Sequence, residues 1–437
     1  RGSLRRNGRQ GVPRAGVHGG KPIGEPCPTL EAMSRRAAAR PLVRVPVPPG
    51  PEGPLRLLPA LAAALDGSGP AVAPVPTVSA TVSNDYVMSL LAALRADDPS
   101  LSLESDDVAA VIATSGSTGA PRGVLLTAGQ LTSMTTTVNG EGAHPQWVAA
   151  LPVTSMGGIN VLVRALAAGR DPVIVSSVGG AGPFTAHDFH DAVDRAARQA
   201  DDVRVALVPA QLSRLLADDR GIEALQRCRQ VLVGGAATRP SLRAGARDLG
   251  ITVTTTYGAT ETAGGCVFDG RPLAGVTVTA DGTPGVVTIS GPCVALGYRG
   301  EPELTRATFT ADGYRTPDLG EVETDGTLRI VGRADDVVVI RGVNVSPLAV
   351  ERVVADLPDV VTAAAVTVGA ADGEPSVHVF VEVRDSAPDV EDAVRDAVTT
   401  RLGRAARPVV HRVPRLPHLP NGKVDRRELQ AWTTTEG

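Results

Sequence analysis

The chain has 437 residues, enough for two or three domains at roughly 150 residues each. Hydrophobic residues make up 43% and charged residues 21%, which excludes a chain disordered throughout. The net charge of -4 offers no overall basic field to nucleic acid or an anionic membrane, and no apolar run approaches the roughly 18 residues of a membrane span. The 48 glycines and 35 prolines exceed the roughly 12% average share, as in a loop-rich enzyme. Cys27, Cys228, Cys266 and Cys293 show no C-x-x-C spacing. That disfavours a disulfide scaffold or structural zinc and suits the reducing cytoplasm. The basic, glycine-rich start from Arg1 to Lys21 has no apolar signal region after it. Residues 1–40 are read as a leader or disordered stretch and set aside.

From Val108 to Val276 short apolar runs alternate with amphipathic stretches. Val108–Ala113 reads as a buried strand, and Thr127-Ala128-Gly129-Gln130 as a capping box opening a helix. Trp147–Leu151, Pro172–Val175, Val203–Val208, Gln230–Val233 and Thr252–Thr256 read as strands. Gly158–Ala168, Thr185–Gln199, Gln211–Leu216 and Ser241–Asp248 read as helices between them. Such alternation predicts parallel sheets covered by helices, with the active site at the carboxyl ends of the strands. Cys266 to Gly332 is glycine-rich with short β runs, which predicts an antiparallel, barrel-like unit. Beyond Asp335 the pattern is a small α+β unit: Ser346-Pro347 opens a helix, Val361–Val368 and Val377–Val383 are strands, and Val390–Leu402 is a helix. The expected division is 41–334 for a large N-terminal domain and 335–437 for a mobile C-terminal one.

Four segments carry chemistry. Thr114-Ser115-Gly116-Ser117-Thr118-Gly119-Ala120-Pro121-Arg122-Gly123 directly follows a strand. Small hydroxylated residues and glycines let backbone N–H groups approach an anion, and Arg122 adds charge. The spacing is not that of a Walker loop. Thr256-Tyr257-Gly258-Ala259-Thr260-Glu261-Thr262 offers a stacking face, a phosphate donor and a hard oxygen ligand for Mg²⁺. Tyr314 to Gly320 holds Asp318, a carboxylate suited to ribose hydroxyls, with Gly332-Arg333 beyond it. Pro420-Asn421-Gly422-Lys423 places one lysine on a glycine turn.

In this order and spacing the four segments resemble the adenylate-forming superfamily of acyl- and aryl-CoA ligases, adenylation domains and luciferases. Within it, Leu151 to Arg164, Val208 to Leu212 and Thr260 to Gly270 look most like the actinobacterial o-succinylbenzoate–CoA ligases of menaquinone biosynthesis. The resemblance implies an α/β fold. A large N-terminal domain of α/β subdomains plus a β-barrel-like subdomain is hinged to a small α+β C-terminal domain. It implies ATP, Mg²⁺ and coenzyme A as cofactors. Carried over to this chain, Thr114, Ser115, Gly116, Ser117, Thr118, Gly119 and Arg122 form the phosphate loop. Gly234, Gly235 and Ala236 border the adenine, and Tyr257 stacks on it beside Gly258. Thr260 contacts the α-phosphate, and Glu261 holds the metal. Asp318 and Arg333 take the ribose, Asp335 is the hinge, and Lys423 assists adenylation. Ser155, Gly158, Arg164, Gln211, Gly264 and Gly265 line the acyl site, with Arg164 facing a substrate carboxylate.

Three positions depart from the family pattern. Ser155 stands where a histidine is common, Pro317 replaces a glycine before Asp318, and Arg122 replaces a lysine. Two acceptors for the activated acid remain open, coenzyme A or a carrier protein, and so does a secondary-metabolism acid in place of o-succinylbenzoate. Intact Glu261, Asp318 and Lys423 speak against a non-catalytic relative. His187 and His190 read as a solvated helix face, and Cys266 as a packing residue.

Overall fold

Val108–Ala113 is β3, and every residue in it up to Ile112 is buried. The computed structural model describes residues 40–98, 101–114, 120–334, 336–369, 375–383, 390–419 and 423–434. Three strands open the chain: β1 (Leu42–Val47), β2 (Ala71–Pro76) and β3 run parallel. β4 (Gly123–Thr127) returns antiparallel on β3. Thr127 then caps the next helix reciprocally with Gln130, as its sequence predicts. The Glu52–Leu65 helix covers this sheet with Leu57, Leu58 and Leu61.

A second sheet runs, edge to edge, Arg271–Pro272, Gly264–Phe268, Val253–Ala259, Gln230–Val233, Val203–Leu207, Gln146–Ala149 and Val173–Ile174. Its strands β5 (Gln146–Ala149), β6 (Val173–Ile174), β7 (Val203–Leu207), β8 (Gln230–Val233) and β9 (Val253–Ala259) are parallel. β10 (Gly264–Phe268) and β11 (Arg271–Pro272) fold back antiparallel at one edge. Helices Ala186–Ala197, Pro209–Leu216 and Asp219–Gln226 pack Phe189, Leu212 and Leu225 on one face. The Met156–Ala167 helix is apolar nearly all round and is buried accordingly. Ile159 and Leu162 join the core of the first sheet, and Val161 and Ala165 join a core with Trp147 and Ala149 of the second.

β12 (Thr277–Gly282), β13 (Gly285–Ser290), β15 (Phe309–Thr310), β16 (Gly313–Val322) and β17 (Leu328–Arg333) form an antiparallel sheet. Between them β14 (Gly297–Tyr298) crosses back to pair with β4. From Val338 onward the chain builds its own core: the hairpin β18 (Val338–Ile340) and β19 (Val343–Val345), and a three-stranded sheet of β20 (Val360–Val368), β21 (Ser376–Val383) and β22 (Val409–Arg412). Helices Pro347–Ala355 and Glu391–Leu402 cover it, and Arg426–Thr434 closes it with Leu429. Among the described residues no helix is long and apolar enough to cross a membrane.

Candidate active site

The loop after β3 is drawn tight at its base. Arg122 N donates to Thr114 Oγ1 at 2.9 Å, and Thr114 N to Arg122 O at 2.8 Å. Ser115, Gly116, Ser117, Thr118 and Gly119 lie outside the described residues, as does the expected hinge Asp335. The Arg122 guanidinium stands 5.6 Å from the centre of the Tyr298 ring and acts on the Glu261 carboxylate.

Glu261 leaves β9 on a single 3₁₀ turn, Thr260–Thr262, and its side chain is buried. The Tyr298 hydroxyl donates to Glu261 Oε1 at 2.9 Å. Burial raises the pKa of Glu261, and the hydrogen bonds and the cations Arg122 and Lys423 oppose that rise. Thr260, one residue earlier, stays partly exposed on the same turn. Tyr298 was not singled out in the sequence. Its signal is Gly297-Tyr298-Arg299-Gly300, a short glycine-flanked strand.

Lys423 comes from the far end of the chain to this rim. Burial lowers its pKa, while the charges of Glu261 and Asp318 raise it and Arg333 lowers it. One ammonium is therefore set among the two carboxylates and the guanidinium that the sequence assigned to metal and ribose. Asp318 on β16 is in register with Arg333 on β17, and Arg333 Nη1 lies 3.9 Å from Asp318 Oδ1. The Tyr257 hydroxyl donates to Asp318 Oδ2 at 2.7 Å. Burial pushes the Tyr257 phenol well up, and the Asp318 charge adds to the rise. Gly234, Gly235 and Ala236 follow β8, next to β9 in the same sheet. Gly258 is held against Gly264 and Gly265 across the β9–β10 pair.

The expected acyl residues divide. Gly158 is a close-approach glycine: a Cβ there would lie 2.2 Å from Pro152 O. Gly264 needs its glycine twice over, with φ of +96° and a Cβ position 2.0 Å from Asn160 Nδ2. Asn160 Nδ2 donates to Ala263 O at 2.9 Å, tying the buried helix to the turn that carries Glu261. Gly265 faces Thr256 across the ladder. Ser155 turns its hydroxyl back to Pro152 O at 2.7 Å. Both ends of the Gln211 amide are spent on backbone, on Val208 N and Ala150 O. Arg164 is 6% exposed, and its guanidinium stacks 5.4 Å from the centre of the Trp147 ring. Burial lowers its pKa to about 10. No acidic side chain among the described residues pairs with it.

A resident Mg²⁺ needs few protein ligands, since it keeps waters and binds through one or two carboxylates plus substrate phosphates. Among the described residues no group of three or more histidine, cysteine, aspartate or glutamate side chains could hold a metal alone. A single buried carboxylate, Glu261, within electrostatic reach of Arg122 fits that donor set. His187 and His190 lie among the acids Asp191, Asp194 and Glu223 on the Ala186–Ala197 and Asp219–Gln226 helices. Cys266 is fully buried, as a packing residue should be.

Residues 59–299 match the family described as AMP-binding enzyme. The chain belongs to that family. The matched stretch of this AMP-binding enzyme takes in Arg122, Glu261 and Tyr298 and stops short of Asp318, Arg333 and Lys423. Over 382 residues it is 37% identical to a probable 2-succinylbenzoate–CoA ligase of Mycobacterium tuberculosis, covering 85% of this chain and 94% of that one. It is 30% identical over 399 residues to the 2-succinylbenzoate–CoA ligase of Geobacillus kaustophilus, covering 85% and 76%. Its fold is that of the Bacillus subtilis o-succinylbenzoate coenzyme A synthetase solved with ATP and magnesium ion, with a TM-score of 0.72, 21% identity and coverage of 92% and 91%.

Proposed function

We propose that this AMP-binding enzyme joins 2-succinylbenzoate to coenzyme A in two steps, using ATP. In the first, a carboxylate oxygen of the acid attacks the α-phosphorus of ATP and pyrophosphate leaves. In the second, the thiol attacks the acyl carbonyl and AMP leaves. The observation that carries the reading is the arrival of Lys423 within electrostatic reach of Glu261 on the turn after β9 and of the Asp318–Arg333 pair on β16 and β17. Catalysis of such a transfer is mainly positioning and charge stabilisation. Arg122 and Lys423 supply fixed cations where phosphate charge develops. Asp318, oriented by Tyr257, accepts from the ribose hydroxyls. Tyr298 fixes Glu261, the residue that would hold Mg²⁺. When bound, the ion would offset charge on the phosphates.

The substrate assignment rests on the 37% identity to the mycobacterial ligase and on Arg164. A buried guanidinium without an acidic partner is costly to the free enzyme. A second substrate carboxylate is the counter-ion its planar fork suits. The chain from 335 onward is then the mobile domain, turning about Asp335 to withdraw Lys423 before thiol attack. ATP and free coenzyme A make the cytoplasm its place of work.

A second reading, another aryl or acyl acid passed to coenzyme A or a carrier protein, is favoured by one observation. Ser155 supplies a small hydroxyl bound to Pro152 O where the family often has an imidazole. Pyrophosphate release across a panel of carboxylic acids, with mass detection of the thioester, separates the two. The first reading expects 2-succinylbenzoate to lead the panel and coenzyme A to be acylated. Turnover of a monocarboxylic acid alone, or of a carrier thiol alone, would replace it with the second.

A further inference from the structure

The loop that carries Lys423 is anchored by a residue the reaction itself does not use. Arg426 is the first residue of the Arg426–Thr434 helix, and Asp425 caps that helix by accepting from Arg427 N at 3.1 Å and Glu428 N at 3.2 Å. A cation at a helix N-terminus opposes the helix dipole, and a partly buried one loses some of its hydration. The arrangement at Arg426 offsets both costs with a closed ring of bonds. Its Nη1 and Nη2 both bind the Glu351 carboxylate of the Pro347–Ala355 helix, Nη2 to Oε2 at 3.1 Å. Nη1 also donates to Ala365 O on β20 at 2.8 Å, and Ala365 N donates to Glu351 Oε1 at 2.7 Å. Glu351 is only 12% exposed. A forked pair of this kind fixes orientation as well as distance.

The anchored residue is three positions from Lys423. The strand-like return before it is tied as well, by Leu419 N to Lys423 O at 2.7 Å and Asp425 N to Pro417 O at 2.9 Å. Arg426 also lies within electrostatic reach of Asp336 and Arg333, and Arg333 Nε is 3.6 Å from Asp336 Oδ2. Asp336 directly follows the expected hinge.

We propose that Arg426, clamped by Glu351 and Ala365, is a positioning residue that sets Lys423 over Glu261 and Asp318 for the adenylation step. The proposal rests on the catalytic reading of Lys423 given above. A lysine side chain has many rotamers, so its placement depends on how the segments on either side of it are held. A displacement of about 1 Å in a reacting group can cost a hundredfold in rate.

The test uses the full chain and both half-reactions: pyrophosphate release with ATP and 2-succinylbenzoate, and thioester formation from preformed acyl adenylate. Glu351→Gln keeps size and breaks the charge pair, and Arg426→Lys keeps charge and breaks the fork. Each should lower kcat of adenylation roughly ten- to a hundredfold, with little change in KM for ATP, and leave the second half-reaction intact. In a Lys423→Ala background Glu351→Gln should cause no further loss of the residual adenylation, because the group it positions is gone. The proposal is overturned if neither variant slows adenylation, if both half-reactions fall together, or if Glu351→Gln still slows the Lys423→Ala enzyme. If Lys423→Ala alone leaves adenylation intact, the catalytic reading falls first and the proposal falls with it.

Discussion

The phenol of Tyr257 donates to Asp318 Oδ2 at 2.7 Å, joining the last parallel strand of one sheet to the middle of another. The same carboxylate faces Arg333 through its other oxygen. One hydrogen bond and one ion pair, from two sheets, therefore hold Asp318 in place. Tyr257→Phe removes one of them and keeps the ring. A hydrogen bond to a charged group is worth about 1.5–3 kcal/mol, so the dissociation constant for ATP should rise roughly tenfold or more. Calorimetric titration with ATP reads this directly, and an unchanged affinity would take Asp318 out of the nucleotide site.

Glu261→Gln should raise the Mg²⁺ concentration needed for half-maximal pyrophosphate release, since a neutral amide replaces an anionic hard ligand. Tyr298→Phe should do the same to a smaller extent, because the carboxylate remains but its 2.9 Å donor is lost. Equal Mg²⁺ titrations for wild type and both variants would place the ion elsewhere.

Lys423→Ala should abolish adenylation by a hundredfold or so while thioester formation from preformed acyl adenylate survives. The pH profile carries a second sign. Burial lowers the Lys423 pKa, so the folded enzyme loses this proton at a lower pH than a free lysine does. The basic limb of adenylation should therefore lie below the ordinary lysine range near 10.4. Lys423→Arg should move that limb upward, out of the measurable window. A basic limb identical in wild type and Lys423→Arg would mean another group sets it.

Arg164 gives a test that joins stability to specificity. Its pKa is lowered to about 10 in the fold, so the folded state binds this proton more weakly than the unfolded chain. The charged guanidinium then costs stability at every pH below its folded pKa, and the cost fades as pH rises through it. Arg164→Met should raise Tm of the free enzyme at pH 7. Arg164→Lys should lower kcat/KM for 2-succinylbenzoate roughly ten- to a hundredfold, the value of a hydrogen bond to a charged partner. A monocarboxylic analogue should be nearly indifferent. Loss of Tm in Arg164→Met would make the residue a packing arginine.

Local chemistry was legible wherever it acts over a few residues. The Thr127 and Ser346 caps are determined by a side chain and a backbone N–H three residues on, and both stand as read. So does β3, whose run of small apolar residues has no other use than a buried strand. The β2 strand was missed because Pro74 and Pro76 argue against a strand. The structure tolerates them because β2 meets β3 only at Val72↔Ala110, leaving both prolines beyond that pairing. The Asn84–Leu94 and Asp219–Gln226 helices were also missed, though Ser83 and Asp218 cap them with ordinary N-cap bonds. At the site, the sequence by itself determined which residue types are present: the glycine-rich loop, Glu261, Asp318, Arg333 and Lys423. Only the tertiary structure decided which groups meet. Tyr298 reaches Glu261 because β14 crosses back to β4, and Glu351 reaches Arg426 across 75 positions of sequence. Nothing local encodes such pairs, because a part-buried ion pair or a buried phenol–carboxylate bond exists only once separate elements have packed and reduced the water around it.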